Sequence, residues 1–487
     1  MLFNSFDFII YLPIVFLLYW FVFRNRRWQN LLVVIASYVF YGWWDWRFLF
    51  LIAFTSLCSF TSGLLLEFYK GRRQWQKYVS ASNIIINIAI LCVFKYYNFF
   101  VENIDTLFVT LFNYHLDWVT LKIVLPVGIS FYTFQALSYT IDVYQKKILA
   151  THDIIEFFAY ISFFPQLVAG PIERATNLLP QFQKSRSFDY AKAVDGCRQM
   201  LWGFFKKIVV ADNCANVVDA YWNTELPSVS LILLGVLFTF QIYCDFSGYS
   251  DIAIGCARLF GFNLMRNFNY PYFSRSIPEF WRRWHISLTT WFRDYIYFPL
   301  GGSRSGKWKT IRNVYVVWGI SGLWHGANWT FVFWGLYHAT LLAIYNLLGI
   351  NTKYKNTVAD GHLFPNLKEI FQLVLTFSLA VIGWIIFRAE SISQAFGYLY
   401  RIIYNEEPWF GGDSGLLVIG IPLLIGSFML FIEWLQRDKQ YALQLSPTKW
   451  FRYRYVRWGI YLFIFSSIYI SYMVNIEDNN QFIYFQF

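Results

Sequence analysis

Two histidines stand where the residue types and their spacing could do chemistry. His325 lies in Ser321-Gly322-Leu323-Trp324-His325-Gly326-Ala327-Asn328-Trp329, inside an otherwise apolar stretch. An ionisable side chain at membrane depth is costly and usually marks a functional site. Ser321, Gly322, Gly326 and Ala327 keep the backbone thin, so a second helix or a substrate can approach closely. Trp324 and Trp329 are available to wall a pocket. The plain alternative is a neutral histidine that hydrogen-bonds between helices. Acyl transfer to an alcohol needs a base near neutral pKa to take the hydroxyl proton as the new bond forms. Burial favours the neutral, proton-accepting imidazole. A second group would stabilise the developing oxyanion, and His285 and Asn328 are the candidates for it. His338 reads as structural, and His115, His152 and His362 fall in expected loops.

His285 sits in the most polar stretch of the chain, residues 266–312. That stretch holds Arg266, Arg275, Arg282, Arg283, Arg293, Arg304, Lys307, Lys309 and Arg312 against Glu279 and Asp294. Ser276-Ile277-Pro278-Glu279 reads as a helix start, with Ser276 as cap, proline in the first turn and Glu279 placed for a capping box. Beyond it Trp281, Trp284, His285, Leu288, Trp291 and Phe292 share one helical face. On this pattern alone the stretch reads as an amphipathic helix on the cytoplasmic surface, its arginines toward anionic lipid. The alternative is that His285 faces a cavity. GxSxG, HExxH, P-loop and dinucleotide-binding patterns are absent from the sequence, which argues against a hydrolase, a zinc protease or a nucleotide-driven pump.

The elements that must position these histidines lie in a bilayer. Hydrophobic residues make up 57% of 487 and charged residues 14%, against roughly 25% charged in soluble domains. A net charge of +11 reads as basic cytoplasmic loops rather than as a nucleic-acid surface. Six cysteines without CxxC spacing give neither a disulfide framework nor a zinc site, and no bound metal or cofactor is expected. The first apolar run has no basic segment before it and no cleavage site after it, and is expected to be a retained span. Expected spans are 8–23, 31–44, 48–66, 80–94, 124–143, 230–244, 314–348 (two passes or a bent pair), 370–387, 416–435 and 458–474. Shorter apolar pieces lie at 154–168, 200–210 and 252–262. By length this predicts an all-α polytopic protein with about eleven or twelve transmembrane helices, and 1–487 as a single integral-membrane domain. Basic clusters at Arg24, Arg26 and Arg27, and at Lys70, Arg72, Arg73 and Lys77, are placed in the cytoplasm. A loop over 96–121 with Glu102, Asp105 and Asp117 is placed outside. Arg437, Lys439, Lys449, Arg452, Arg454 and Arg457 read as inside, and the tail with Glu477 and Asp478 as outside. Both termini are thus expected to be extracytoplasmic. The piece 154–168, ending in Ala169-Gly170-Pro171 between basic segments, reads as a re-entrant or surface-lying piece. Such backbone is tolerated at depth only inside protein or beside a watery cavity.

These residues resemble the membrane-bound O-acyltransferase (MBOAT) superfamily, in particular its bacterial branch that serves polysaccharides such as alginate. The likeness runs through Phe3-Asn4-Ser5, Tyr41-Gly42-Trp43, the run Pro126 to Gln135, Phe164-Pro165-Gln166-Leu167-Val168-Ala169-Gly170-Pro171-Ile172 and Asp245-Phe246-Ser247-Gly248-Tyr249-Ser250-Asp251. It continues through Phe280 to Leu288, Gly322-Leu323-Trp324-His325-Gly326 and the final Phe482-Ile483-Tyr484-Phe485-Gln486-Phe487. The resemblance implies spans and re-entrant or interfacial helices gathered around a central tunnel. It puts the invariant family histidine at His325 and the second, more variable polar position at His285, and so moves His285 from the membrane surface into the site. It implies a cytoplasmic acyl thioester, acetyl-CoA, as donor, and an acceptor hydroxyl on an extracytoplasmic polysaccharide. It also implies an extracytoplasmic partner of SGNH type and a place in the bacterial inner membrane. On this reading His325 is the base or acyl relay, and His285 and Asn328 orient or stabilise the oxyanion. Trp281, Trp284 and Trp324 wall the site, and Arg282, Arg283, Arg304, Lys206 and Lys207 are candidate contacts for donor phosphates by charge. D-alanyl transfer to teichoic acid and peptidoglycan O-acetylation share the same chemistry. A transporter or channel with a histidine-lined proton path, or a scaffold that recruits an enzyme, are the readings outside it.

Overall fold

The computed structural model describes all residues except 117–119, 122–123, 169, 305, 351–352, 405–412, 446–452, 476–481 and 483–487, and omits the side chains of 413–417. Asp117, Ala169, Lys449, Arg452, Glu477, Asp478 and the final residues 483–487 of the C-terminal motif therefore lie outside the described residues. The described residues form helices and no strand. The chain divides into two compact units: Met1–Ala193 with Ala257–Leu264, and Val194–Cys256 with Met265–Phe487.

The first unit is built from α1 (Phe6–Leu17), α2 (Arg26–Gly42), α3 (Phe48–Phe68), α4 (Arg73–Leu91), α5 (Tyr97–Phe112), α6 (Ile129–Tyr144), α7 (Ile154–Ser162), α8 (Phe164–Leu167) and α9 (Ala175–Gln183). Its packing is that of a membrane bundle, in which small residues and interhelical polar pairs replace the hydrophobic drive of water. A Cβ on Gly63 of α3 would strike the Tyr139 ring of α6. Buried Asn83 of α4 donates to Ser59 on α3 (3.3 Å) and accepts from Thr140 on α6 (3.0 Å).

Two expectations change here. The loop expected over 96–121 is helical to Phe112: a wide π-type turn at Cys92–Tyr96 carries α4 into α5, giving one helical run of 40 residues. Thr106 and Thr110 hydroxyls turn back onto the carbonyls four residues before them, so polar residues sit in this helix at little cost. The span expected from 124 begins only at Ile129, because Gly128 takes φ +73°, where L side chains are strained. A Cβ there would stand 2.5 Å from the Leu167 carbonyl oxygen. The piece 154–168 is broken as expected. α7 and α8 meet at Phe163, and the Phe164 N–H freed by the break donates to Ser37 Oγ (3.0 Å) on α2. Nine residues of α7 rise about 14 Å, well short of a bilayer core of about 30 Å.

The second unit contains α10 (Tyr190–Phe204), α11 (Asp212–Tyr221), α12 (Ser228–Leu259), α13 (Ile277–Arg283), α14 (Ile286–Phe292), α15 (Lys307–His325), α16 (Trp329–Leu347), α17 (Leu367–Arg388), α18 (Ile392–Tyr404), α19 (Asp413–Leu435) and α20 (Arg454–Val474). α12 joins the expected pieces 230–244 and 252–262 into one helix of 32 residues. The polar run 245–251 between them stays helical because its side chains meet buried partners. The 314–348 stretch is two helices, α15 and α16. Among the described residues five helices are long and apolar enough to cross a membrane: 48–68, 73–112, 228–259, 367–388 and 418–435. Large apolar side chains such as Phe371, Leu424, Leu462 and Ile470 are exposed along the outer helices, which suits lipid and not water.

Candidate active site

His325 is the last residue of α15, and the tightness of the α15–α16 pair holds it. A Cβ on Gly322 would fall onto the Phe331 carbonyl, and one on Gly335 onto that of Trp318. The thin backbone thus serves a neighbouring helix. The ring of His325 is packed edge-on by Trp324 (4.8 Å between centroids), Trp334 (5.0 Å) and Phe387 (5.3 Å).

His285 arrives by a different route. Ser276 caps α13, its Oγ accepting the Glu279 N–H (3.3 Å). The capping box is not completed, because the Glu279 carboxylate takes the backbone N–H of Arg275 (2.8 Å) and the guanidinium groups of Arg275 (3.1 Å) and Arg283 (2.9 Å). The single amphipathic helix expected from Ser276 breaks after Arg283. Trp284 is extended and His285 takes φ 42°, ψ 55°, a left-handed conformation uncommon for a non-glycine residue. Strain of this kind is kept where the surroundings over-determine it, often at functional sites. Here the surroundings are the 267–269 segment: Asn267 O accepts the Ile286 N–H (2.9 Å), and Arg283 O accepts the Asn269 N–H (2.9 Å). His285 is 1% exposed and meets Phe246 of α12 edge-on at 4.7 Å. It lies between two seven-residue helices, outside the spanning segments, and burial pushes its imidazole down to about 3.

The two histidines meet at one cavity of about 60 Å³, lined by Trp281, Trp284, His285, Thr289, Ser321 and His325 among others. Taking about 30 Å³ per water, that is room for two waters, or a group of a few heavy atoms. The Trp324 ring is 6.1 Å from that of His285 and 4.8 Å from that of His325. His285 is thus a buried cavity residue and not part of a surface helix. His338 stays structural: its Nδ1 accepts the Trp281 indole N–H (3.3 Å) amid Trp318 and Trp334.

Other expected residues go elsewhere. Asn328 caps α16, its Oδ1 accepting the Thr330 N–H (3.0 Å) while its Nδ2 donates to the Glu390 carbonyl (2.9 Å); both ends of the amide are engaged in the fold, and Asn328 is not in the lining of the histidine cavity. Trp329 is 52% exposed and is not in the lining of the cavity that the two histidines share. Arg283 is buried against Glu279. Lys206 pairs with Asp251 (2.6 Å), and Lys207 with Asp212 (2.8 Å) and Asp245 (2.9 Å), all shielded from solvent. These three cations are framework charges and not open phosphate contacts. Arg282 and Arg304 are exposed, with Arg282 donating to the Tyr354 carbonyl (2.7 Å).

The motif Asp245 to Asp251 proves to be the hub behind the site. Asp245 and Asp251 hold the two lysines, Ser247 Oγ accepts from Lys206 (2.9 Å), and Ser250 Oγ accepts from Asn267 (3.1 Å). Gly248 lets α10 come close: its Cβ would stand 2.8 Å from the Gly203 carbonyl oxygen. Asn267 escaped the reading of residue types. It lies outside any helix and no periodicity marks it, although it falls within the basic stretch.

The chain is similar to known proteins over most of its length. The profile of the membrane-bound O-acyltransferase family matches residues 35–382. The probable alginate O-acetylase AlgI of Pseudomonas aeruginosa is 41% identical over 411 residues, covering 84% of this chain and 76% of that protein. That of Azotobacter vinelandii is 40% identical over 415 residues, covering 85% and 80%. The peptidoglycan O-acetyltransferase of Helicobacter pylori is 31% identical over 435 residues, covering 83% and 80%. With the family profile spanning most of its length and both histidines on one cavity, the chain belongs to the membrane-bound O-acyltransferase family.

Proposed function

We propose that this O-acyltransferase passes an acetyl group from a cytoplasmic thioester, acetyl-CoA, to hydroxyls of an extracytoplasmic polysaccharide of the alginate kind. The observation that carries the reading is the convergence of His325 and His285 on one aromatic-walled cavity. Relatives about 40% identical are named for alginate acetylation. Between them the two imidazoles supply the proton acceptor that acyl transfer to a hydroxyl requires. Trp281, Trp284 and Trp318 line the space for the acetyl group, and Trp324, expected to wall it, packs against the two histidine rings instead. Arg282 and Arg304 remain as exposed cations for the donor's phosphates. The 487 residues act as one integral-membrane domain of eleven or twelve spans in the bacterial inner membrane, both termini extracytoplasmic. An SGNH-type partner completes delivery to the polymer, and no bound cofactor takes part.

The test is release of free CoA from acetyl-CoA by the purified protein, with and without mannuronate oligomers, for wild type, His325→Ala and His285→Ala. Acceptor-dependent release in wild type and its loss in both variants is the expected result. Folded His325→Ala protein that still acetylates would overturn the assignment.

A further inference from the structure

His285 is held through one of its two nitrogens. Its Nδ1 lies 3.0 Å from Asn267 Oδ1, and the same oxygen faces the Ser287 hydroxyl (2.9 Å) and the Ser287 N–H (3.4 Å). The other end of the amide, Nδ2, donates to Ser250 Oγ on α12 (3.1 Å). A backbone N–H can only donate, so the atom it meets is the amide oxygen, and that oxygen can only accept. The imidazole nitrogen facing it must therefore carry the proton. A neutral ring then keeps its lone pair on Nε2, which has no hydrogen-bond partner among the described residues although the ring lines the cavity. Asn267 is itself 0% exposed. It cannot turn away without unpairing the first turn of α14.

We infer that Asn267, backed by Ser250, is the positioning residue that fixes His285 as the Nδ1–H tautomer, and that His285 Nε2 is the proton acceptor of the transfer. This rests on the acetyltransferase reading above and exchanges the roles that the family resemblance implied for the two histidines. As the acceptor oxygen bonds to the acetyl carbon and the C–S bond breaks, the hydroxyl proton passes to Nε2. From the imidazolium it goes to the departing thiolate. A ring in this tautomer accepts and does not donate, so it is no oxyanion donor at the start of the step. His325 is left to face the thioester carbonyl.

The test is the pH dependence of Asn267→Asp, Asn267→Ala and Ser250→Ala in the full-length protein. A carboxylate beside Nδ1 favours the imidazolium and raises the pH at which His285 protonates. The ionisable groups on the elements packed against the ring are Asp245 and Asp251, each paired with a lysine, Arg266, Arg283 paired with Glu279, and His325. None of them changes in these variants. Asn267→Asp is expected to move the acidic limb of kcat/KM for acetyl-CoA upward by about one unit or more. Asn267→Ala is expected to lower kcat about tenfold to a hundredfold, as loss of a histidine's orienting partner does, with KM for acetyl-CoA little changed.

A second readout does not need activity. Thermal unfolding followed by tryptophan fluorescence between pH 7 and 3 should show wild type losing stability as pH falls, because only unfolded His285 takes up a proton until the pH nears the folded value of about 3. That loss should shrink in Asn267→Asp. Superimposable pH profiles of wild type and Asn267→Asp in this readout overturn the inference, whether or not turnover is seen. Failure of wild type to turn over acetyl-CoA, or full activity in His285→Ala, would instead strike the functional reading.

Discussion

Lys206 Nζ lies 2.6 Å from Asp251 Oδ2, with the two side chains only 3% and 14% exposed. Glu433 of α19 stands 3.9 Å from the same ammonium and accepts the Tyr243 hydroxyl (2.8 Å). One lysine thereby ties the wide turn after α10 to α12 and α19. The same α12 carries Phe246 against the His285 ring and Ser250 against Asn267, so this ion pair belongs to the frame on which the site is mounted.

Removing one partner of such a pair leaves a buried charge uncompensated. Lys206→Met is expected to destabilise the protein by about 3–5 kcal/mol, read as a lower unfolding midpoint in detergent. The KM for acetyl-CoA of the protein that remains folded should stay near wild type. A variant of normal stability with a raised KM would return Lys206 to the role of phosphate contact that its charge suggested.

The α15–α16 crossing makes a second prediction. Gly335→Ala puts a methyl group where the Trp318 carbonyl now lies, and neither backbone can yield without moving the helix that ends in His325. Overpacking of this kind costs about 1–3 kcal/mol or more. The expected signature is a lowered unfolding midpoint and, below it, a fall in kcat larger than the change in KM. Unchanged stability and turnover would mean that the crossing tolerates separation. Gly319, on the partner helix α15, has open space around its Cβ position, and Gly319→Ala is the control expected to be silent.

Much of this site was legible from the sequence, for stated physical reasons. His325 stood out because an imidazole in an apolar run is costly, and the small residues around it announced a close helix. The break at 154–171 followed from loop charge and from a length too short to span. The break at Trp284 and His285 was not legible. The apolar periodicity of α13 continues into α14, and only backbone pairing with the 267–269 segment interrupts it. Lys206 and Lys207 were misjudged for a similar reason: Asp251 and Asp245 on α12 lie 45 and 38 residues beyond them, and charge counted along the chain cannot see such partners. Loop charge assigns 96–121 to a side of the membrane but says nothing of its backbone, so α5 was not legible.

Asn328 separates a folding role from a chemical one most cleanly. Its side chain closes the first turn of α16 through the Thr330 N–H and reaches the Glu390 carbonyl, which uses both ends of the amide. Loss of an N-cap costs about 1 kcal/mol, whereas loss of an oxyanion donor lowers kcat about a hundredfold to a thousandfold. Asn328→Ala is therefore expected to lower the unfolding midpoint by a few degrees and to leave kcat within about threefold of wild type, with Asn328→Asp, which can still cap, closer to wild type in stability. Steady-state CoA release beside an unfolding curve decides the matter. A stable Asn328→Ala protein with turnover reduced a hundredfold would place Asn328 at the reacting carbonyl after all, and the cavity lined by His285 and His325 would have to extend to it.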